Sequence, residues 1–109
     1  MAKSTDLVQG TLDLLILKTI SREPKHGWGI AKRIQDVSHE ALQVQQGYLY
    51  PALHRLEQQA WIKAEWRMTA NNQRARIYTI TADGRKQHGE EQAGFTELMT
   101  AVQRILRPA

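Results

Sequence analysis

The chain has 109 residues, enough for one domain with a helical appendage and too few for two cores. It contains no cysteine, which excludes a disulfide framework, a thiol nucleophile, a thiolate zinc site and an iron–sulfur cluster on its usual ligands. Fifteen Lys and Arg against eleven Asp and Glu give a net charge of +4, unevenly placed. Residues 1–60 carry 7 basic and 6 acidic side chains, 61–86 carry 6 and 2, and 87–109 carry 2 and 3. The excess thus sits in one quarter of the chain, where Arg67, Arg74 and Arg76 fall in an acid-free stretch over 66–82. A basic patch so concentrated points to a nucleic-acid footprint, the alternative being a solvated charged turn. The longest dense apolar stretch, residues 12–17, is far short of the roughly 20 needed to span a membrane, and no secretory leader pattern opens the chain. A soluble, cytoplasmic protein that makes no membrane contact is therefore expected.

The first helical pattern, residues 7–21, sets Leu12, Leu14, Leu15, Ile16, Leu17 and Ile20 on nearly every side. A helix apolar all round is buried all round. In so small a domain the expected cover for its second face is a partner chain, with Leu12, Leu15 and Ile16 at the interface. Pro24 ends this run, and Gly27, Gly29, Ile30, Ala31, Ile34 and Val37 read as a second short helix with Lys32 and Arg33 outward. In the third helix Leu49, Leu53, Leu56 and Ala60 share one stripe, with Ala52 at its edge. Pro51 lacks an N–H and is expected in the first turn, which starts the helix near Tyr48 with Gln45 and Gln46 at its mouth. The opposite side carries Gly47, Pro51, His54, Arg55 and Gln58, flanked by Tyr48 and Tyr50, and has no acid. Amides, hydroxyls, imidazole and guanidinium on such a face donate to phosphates and base edges, and the free N–H groups of the helix start add a phosphate site.

After Ala60 the period changes to two: Ile62, Ala64 and Trp66 alternate with Lys63, Glu65 and Arg67, and Tyr78 and Ile80 with Ile77 and Thr79. This predicts a hairpin whose connection, 69–73, holds Asn71 and Asn72, residues that tolerate left-handed backbone. Three helices and then a hairpin with a basic tip is the order of a winged helix-turn-helix, whose third helix enters the major groove. The wing then follows the DNA backbone or enters the next minor groove. A last helix is expected from Thr81 as N-cap, with Asp83 in its first turn, to Leu106 before Pro108. Phe95, Leu98, Val102 and Ile105, flanked by Met99 and Leu106, form an a/d seam over two heptads. Gly89 and Gly94 each weaken this helix by about 1 kcal/mol relative to Ala. Its expected partner is the first helix of the other subunit in a symmetric dimer; the alternative is that it folds back on its own domain. The expected fold is mainly α with a small β-hairpin, a winged helix-turn-helix over 1–81 and a dimerisation helix over 82–109.

The segments GTLDLLILKTI (10–20), HGWGIAKRI (26–34), QQGYLYPALHRLEQQAWI (45–62) and YTITADGR (78–85) resemble the PadR family of bacterial transcriptional regulators. The resemblance spans nearly the whole chain and is most specific in QGYLYPALHRLE. It implies a winged-helix homodimer, usually a repressor, in the compact branch with one C-terminal helix. It also implies that a small aromatic or hydrophobic effector, bound near the dimer interface, releases DNA in some members. Carried over position by position, it puts DNA contacts on Gln46, Tyr48, Tyr50, Arg55, Asn72 and Arg74. The helix face and the basic wing add Gln45, His54 and Arg76. Tyr50 has a second reading, packing against the second helix. Phe95, with Met99, is the candidate effector contact, beside its plainer role in the seam. His88 departs from the family pattern, which commonly has an apolar residue there.

Catalysis finds no footing. His26, His39, His54 and His88 are far apart, and no pair has the spacing of a metal helix. Gly27, Trp28 and Gly29 lack the third glycine and preceding strand of a dinucleotide fingerprint, and adjacent Glu90 and Glu91 diverge by about 100° on a helix. Neither cofactor nor metal is expected. The sequence reads as a homodimeric repressor that binds a pseudo-palindromic operator in double-stranded DNA. The alternative is a winged-helix module that binds another protein.

Overall fold

The computed structural model describes residues 9–108, so Leu7, where the sequence places the start of the first helix, lies outside the described residues. The elements run α1 (Gln9–Arg22), β1 (Lys25–His26), α2 (Gly27–Val37), α3 (Gln46–Gln58), β2 (Ile62–Met68), β3 (Arg74–Ile80) and α4 (Ala82–Leu106). The strands form one antiparallel sheet in the order β1-β3-β2. The hairpin keeps one register from Ile62 opposite Ile80 to Met68 opposite Arg74. β1 is an addition to the expected two-stranded wing. Its two residues pair with Tyr78 and Ile77, and a strand so short shows no alternation in sequence.

The core is a single cluster in which Ile16, Leu17, Ile20, Ile30, Leu49, Leu53 and Leu56 are fully buried, closed by Ile62, Tyr78 and Ile80 from the sheet. Its centre is α1, packed by α2, α3, β3 and α4 of the same chain. This corrects the expectation that a partner covers the second face. Leu12 and Ile16, assigned to the dimer interface from their pattern, are 3 % and 0 % exposed and belong to the chain's own core. Four elements crowded around one helix achieve what two chains were expected to do. Leu15 is half-buried and lines an open cleft of 340 Å³ between α1 and α2, with Ile34, Val37 and Leu42.

α3 begins two residues earlier than its proline suggests. Gln45 is the N-cap, without a side-chain cap bond, and Pro51 lies inside the helix in its second turn. The carbonyl of Gly47 therefore lacks the donor that an ordinary residue at 51 supplies. Leu49, Ala52, Leu53 and Leu56 are the buried stripe. Ala60 is exposed and outside the helix at φ 62°, so it is not the stripe's last member. α4 starts as expected: the Thr81 hydroxyl accepts the Gly84 N–H at 3.0 Å and donates to the Ala60 carbonyl at 2.8 Å. A Cβ on Gly84 has no room against the Trp61 carbonyl, and this fixes how closely α4 leaves the sheet. No helix among the described residues is long and apolar enough to cross a membrane.

Candidate nucleic-acid interface

The side of α3 away from the core is set by its helical period. Gln45, Gln46, Gly47, Tyr48, Pro51, His54 and Gln58 are all exposed, with Tyr48 at 56 %. Four of the residues assigned from sequence, Gln45, Gln46, Tyr48 and His54, are thus open to solvent, and the first three stand at the helix start, where the unpaired N–H groups of the first turn add positive potential. Of the two readings of Tyr50, the structure shows the packing against the second helix and leaves part of the side chain open. Its ring lies over Gly27, where a Cβ at that position would stand 2.9 Å from the ring, and 44 % of the residue remains exposed. Gly27 is thus the residue type that lets α2 approach the ring.

Arg55 is placed differently from expectation. Its guanidinium donates to Asp13 of α1 at 2.9 Å, and its Nε is buried without a partner. The side chain leans to α1 through this ion pair. Burial holds the Asp13 carboxyl above its ordinary value, outweighing the pull of Arg55, and Glu91 adds to the rise. The pair ties α3 to α1.

The wing tip is a type I turn followed by one left-handed residue. Asn72 N–H donates to the Thr69 carbonyl at 2.9 Å, Thr69 N–H to the Gln73 carbonyl at 2.7 Å, and Asn72 has φ 61°. This three-residue loop needs a residue that accepts left-handed backbone, and asparagine supplies it. Asn72 and Arg74 are exposed at the tip. Arg76 is exposed but engaged, donating to Glu57 of α3 at 3.0 Å, so its charge is shared with a carboxylate. Both guanidiniums lie over Trp66, at 4.8 Å for Arg74 and 5.8 Å for Arg76 from the ring centroid. Trp66 is 56 % exposed; the sequence reading used it only for the hairpin's alternation and not as a site residue.

His26 caps α2 by accepting the Gly29 N–H on Nδ1 at 3.0 Å. His88 on α4 is half-buried, its Nε2 without a partner, and burial together with Lys18 of α1 pushes its pKa below the ordinary value. On the rest of α4, Phe95, Leu98, Ile105 and Leu106 are exposed while Met99 and Val102 are half-buried.

Residues 16–90 match the family model described as the transcriptional regulator PadR-like family, more than half of the chain. The chain belongs to the PadR-like family of transcriptional regulators. A PadR family transcriptional regulator from Eggerthella lenta is 28 % identical with a TM-score of 0.78, over 93 % of this chain and 86 % of that one. A transcriptional regulator from Clostridium thermocellum, 23 % identical, shares the fold with a TM-score of 0.85 over 94 % of this chain and 100 % of that one. An uncharacterised protein of Lysinibacillus sphaericus is 27 % identical over 81 residues, 74 % of each chain. This PadR-like chain is thus a transcription regulator with a DNA-binding winged-helix fold, and not an enzyme.

Proposed function

We propose that this PadR-like protein is a homodimeric repressor that reads a pseudo-palindromic operator in double-stranded DNA. The observation that carries the reading is the exposed, acid-free face at the start of α3, lying beside a wing whose tip is basic. Gln45, Gln46, Tyr48 and His54 meet base edges and phosphates in the major groove, with Tyr50 at the flank, and Asn72 and Arg74 meet the backbone and neighbouring minor groove. Arg76 serves the same surface from behind its Glu57 pair, and Arg55 holds α3 in place. The two recognition helices of a dimer stand about one DNA turn apart, roughly 34 Å.

Dimerisation is supported by the apolar residues that α4 leaves open: Phe95, Leu98 and Ile105 of the seam and Leu106 at its flank are exposed from 36 % to 81 %. Met99 and Val102 complete that seam, and Leu15 offers a partly open apolar neighbour on α1. A small hydrophobic effector that binds at Phe95 and Met99 in one dimer geometry better than in the other would move the recognition helices off operator spacing.

The test is operator affinity of two variants. Tyr48→Ala is expected to relax specificity by about 1–3 kcal/mol at the base pair it reads, and Arg74→Ala to weaken binding on all sequences while lowering the salt slope by about one. Unchanged binding in both variants would remove this face from the account.

A further inference from the structure

A groove of 680 Å³ runs between the start of α2 and the wing, with Tyr50 of α3 on its wall. Trp28, Trp66, Tyr50 and Tyr78 line it together with Arg74 and Arg76, and no Asp or Glu is among its lining residues. Trp28 and Trp66 are 59 % and 56 % exposed. Pleating explains how Trp66 comes to be there. The face of the hairpin that buries Ile62, Tyr78 and Ile80 at its base carries Trp66 opposite Arg76, and then Arg74, beyond the reach of the core. The aromatic ring therefore continues the core face into open space, stacked with two guanidiniums. The His26 ring stacks on Trp28, centroids 6.4 Å apart at 21°, and steadies the opposite wall.

An open groove that sets indoles beside guanidiniums, with no acid among its lining residues, fits a chain molecule that alternates apolar rings with anions. When α3 lies in the major groove and the wing reaches the adjacent minor groove, the strand between those grooves passes between α3 and the wing. That strand presents deoxyribose and phosphate outward, with its bases still paired. We propose that the α2–wing groove grips this one strand, Trp28 and Trp66 packing on deoxyribose while Trp66 holds the Arg74 guanidinium towards phosphate. The proposal rests on the reading that α3 enters DNA. The grip carries no sequence information, because sugar and phosphate repeat at every position. Trp66 is a positioning residue for Arg74 and a contact in its own right.

The test compares the selected operator with a scrambled duplex of the same length, using the full chain and the variants Trp66→Ala, Trp66→Phe and Trp28→Ala. Thermal melting serves as the control that each variant folds, which the exposure of both indoles favours. Trp66→Ala and Trp28→Ala are expected to weaken binding to both duplexes alike, by about tenfold, leaving their affinity ratio unchanged. Trp66→Ala also lowers the salt slope by about one, as loss of a phosphate contact does, and Trp66→Phe, which keeps a ring for Arg74, stays near the parent. A fall in the operator-to-scrambled ratio would overturn the grip in favour of base reading, and unchanged binding to both duplexes in the alanine variants would overturn it outright. If the parent protein binds neither duplex, the placement of α3 in DNA fails first, and the groove assignment falls with it.

Discussion

Ala60 takes a backbone that alanine rarely adopts, at φ 62°, because the end of α3 needs it. The Trp61 N–H donates to the Leu56 carbonyl and the Ala60 N–H to the Glu57 carbonyl, the bond pair of a left-handed helix stop usually occupied by glycine. A Cβ in this conformation costs roughly 1–2 kcal/mol, so Ala60→Gly is expected to stabilise the fold by about 0.5–1 kcal/mol in denaturant unfolding. Sequence could not show this stop, since alanine signals helix and lies on the core stripe by period alone. Asn72 was legible because asparagine itself advertises the same backbone. His88 belongs to this scale too. Its folded pKa is below the ordinary 6.5, so the unfolded chain binds a proton more readily. The stability it lends is full above that ordinary value and is lost as pH falls through the lowered one. His88→Leu is therefore expected to flatten the loss of melting temperature between about pH 7 and pH 5. A variant as acid-sensitive as the parent would contradict the origin of the shift at His88.

Among the elements, helix periods and the hairpin alternation were readable because each is a local pattern. α3 showed its buried stripe and its polar side in sequence, and the wing its alternation and its connecting loop. What the pattern of α1 could not reveal was who covers it. All-round apolarity says that a helix is enclosed, and here α2, α3, β3 and α4 of one chain do the enclosing, sealing Leu12 and Ile16. The direction of Arg55 was equally hidden, because its partner Asp13 lies 42 positions away in sequence. α4 is the element to which the proposal assigns the second chain. Its 25 residues extend about 37 Å, and beyond the start held by Thr81 and Gly84 its seam is left open. Phe95→Asp and Val102→Asp are each expected to give monomers in sedimentation, with weakened operator binding, while the melting of the winged-helix core changes little. Dimers that persist in both variants would remove α4 from the interface.

Across the whole molecule, the division of labour follows the distribution of charge and apolar surface. The described chain spans 58 × 33 × 21 Å, elongated by α4, with its core around α1, its acid-free polar face on α3 and its excess positive charge on the wing. The basic excess that composition reports as a modest +4 acts as a local field because it is gathered over 61–86. Binding of duplex DNA by two such faces, related by a two-fold axis, is the central claim. It is tested most directly by selecting random duplexes on the purified protein and titrating the selected sequence at several salt concentrations. The account predicts an inverted repeat, with half-site centres about one helical turn apart and an affinity that falls steeply as salt rises. Selection without a consensus, together with weak binding at physiological salt, would contradict it and turn the same face towards a protein partner.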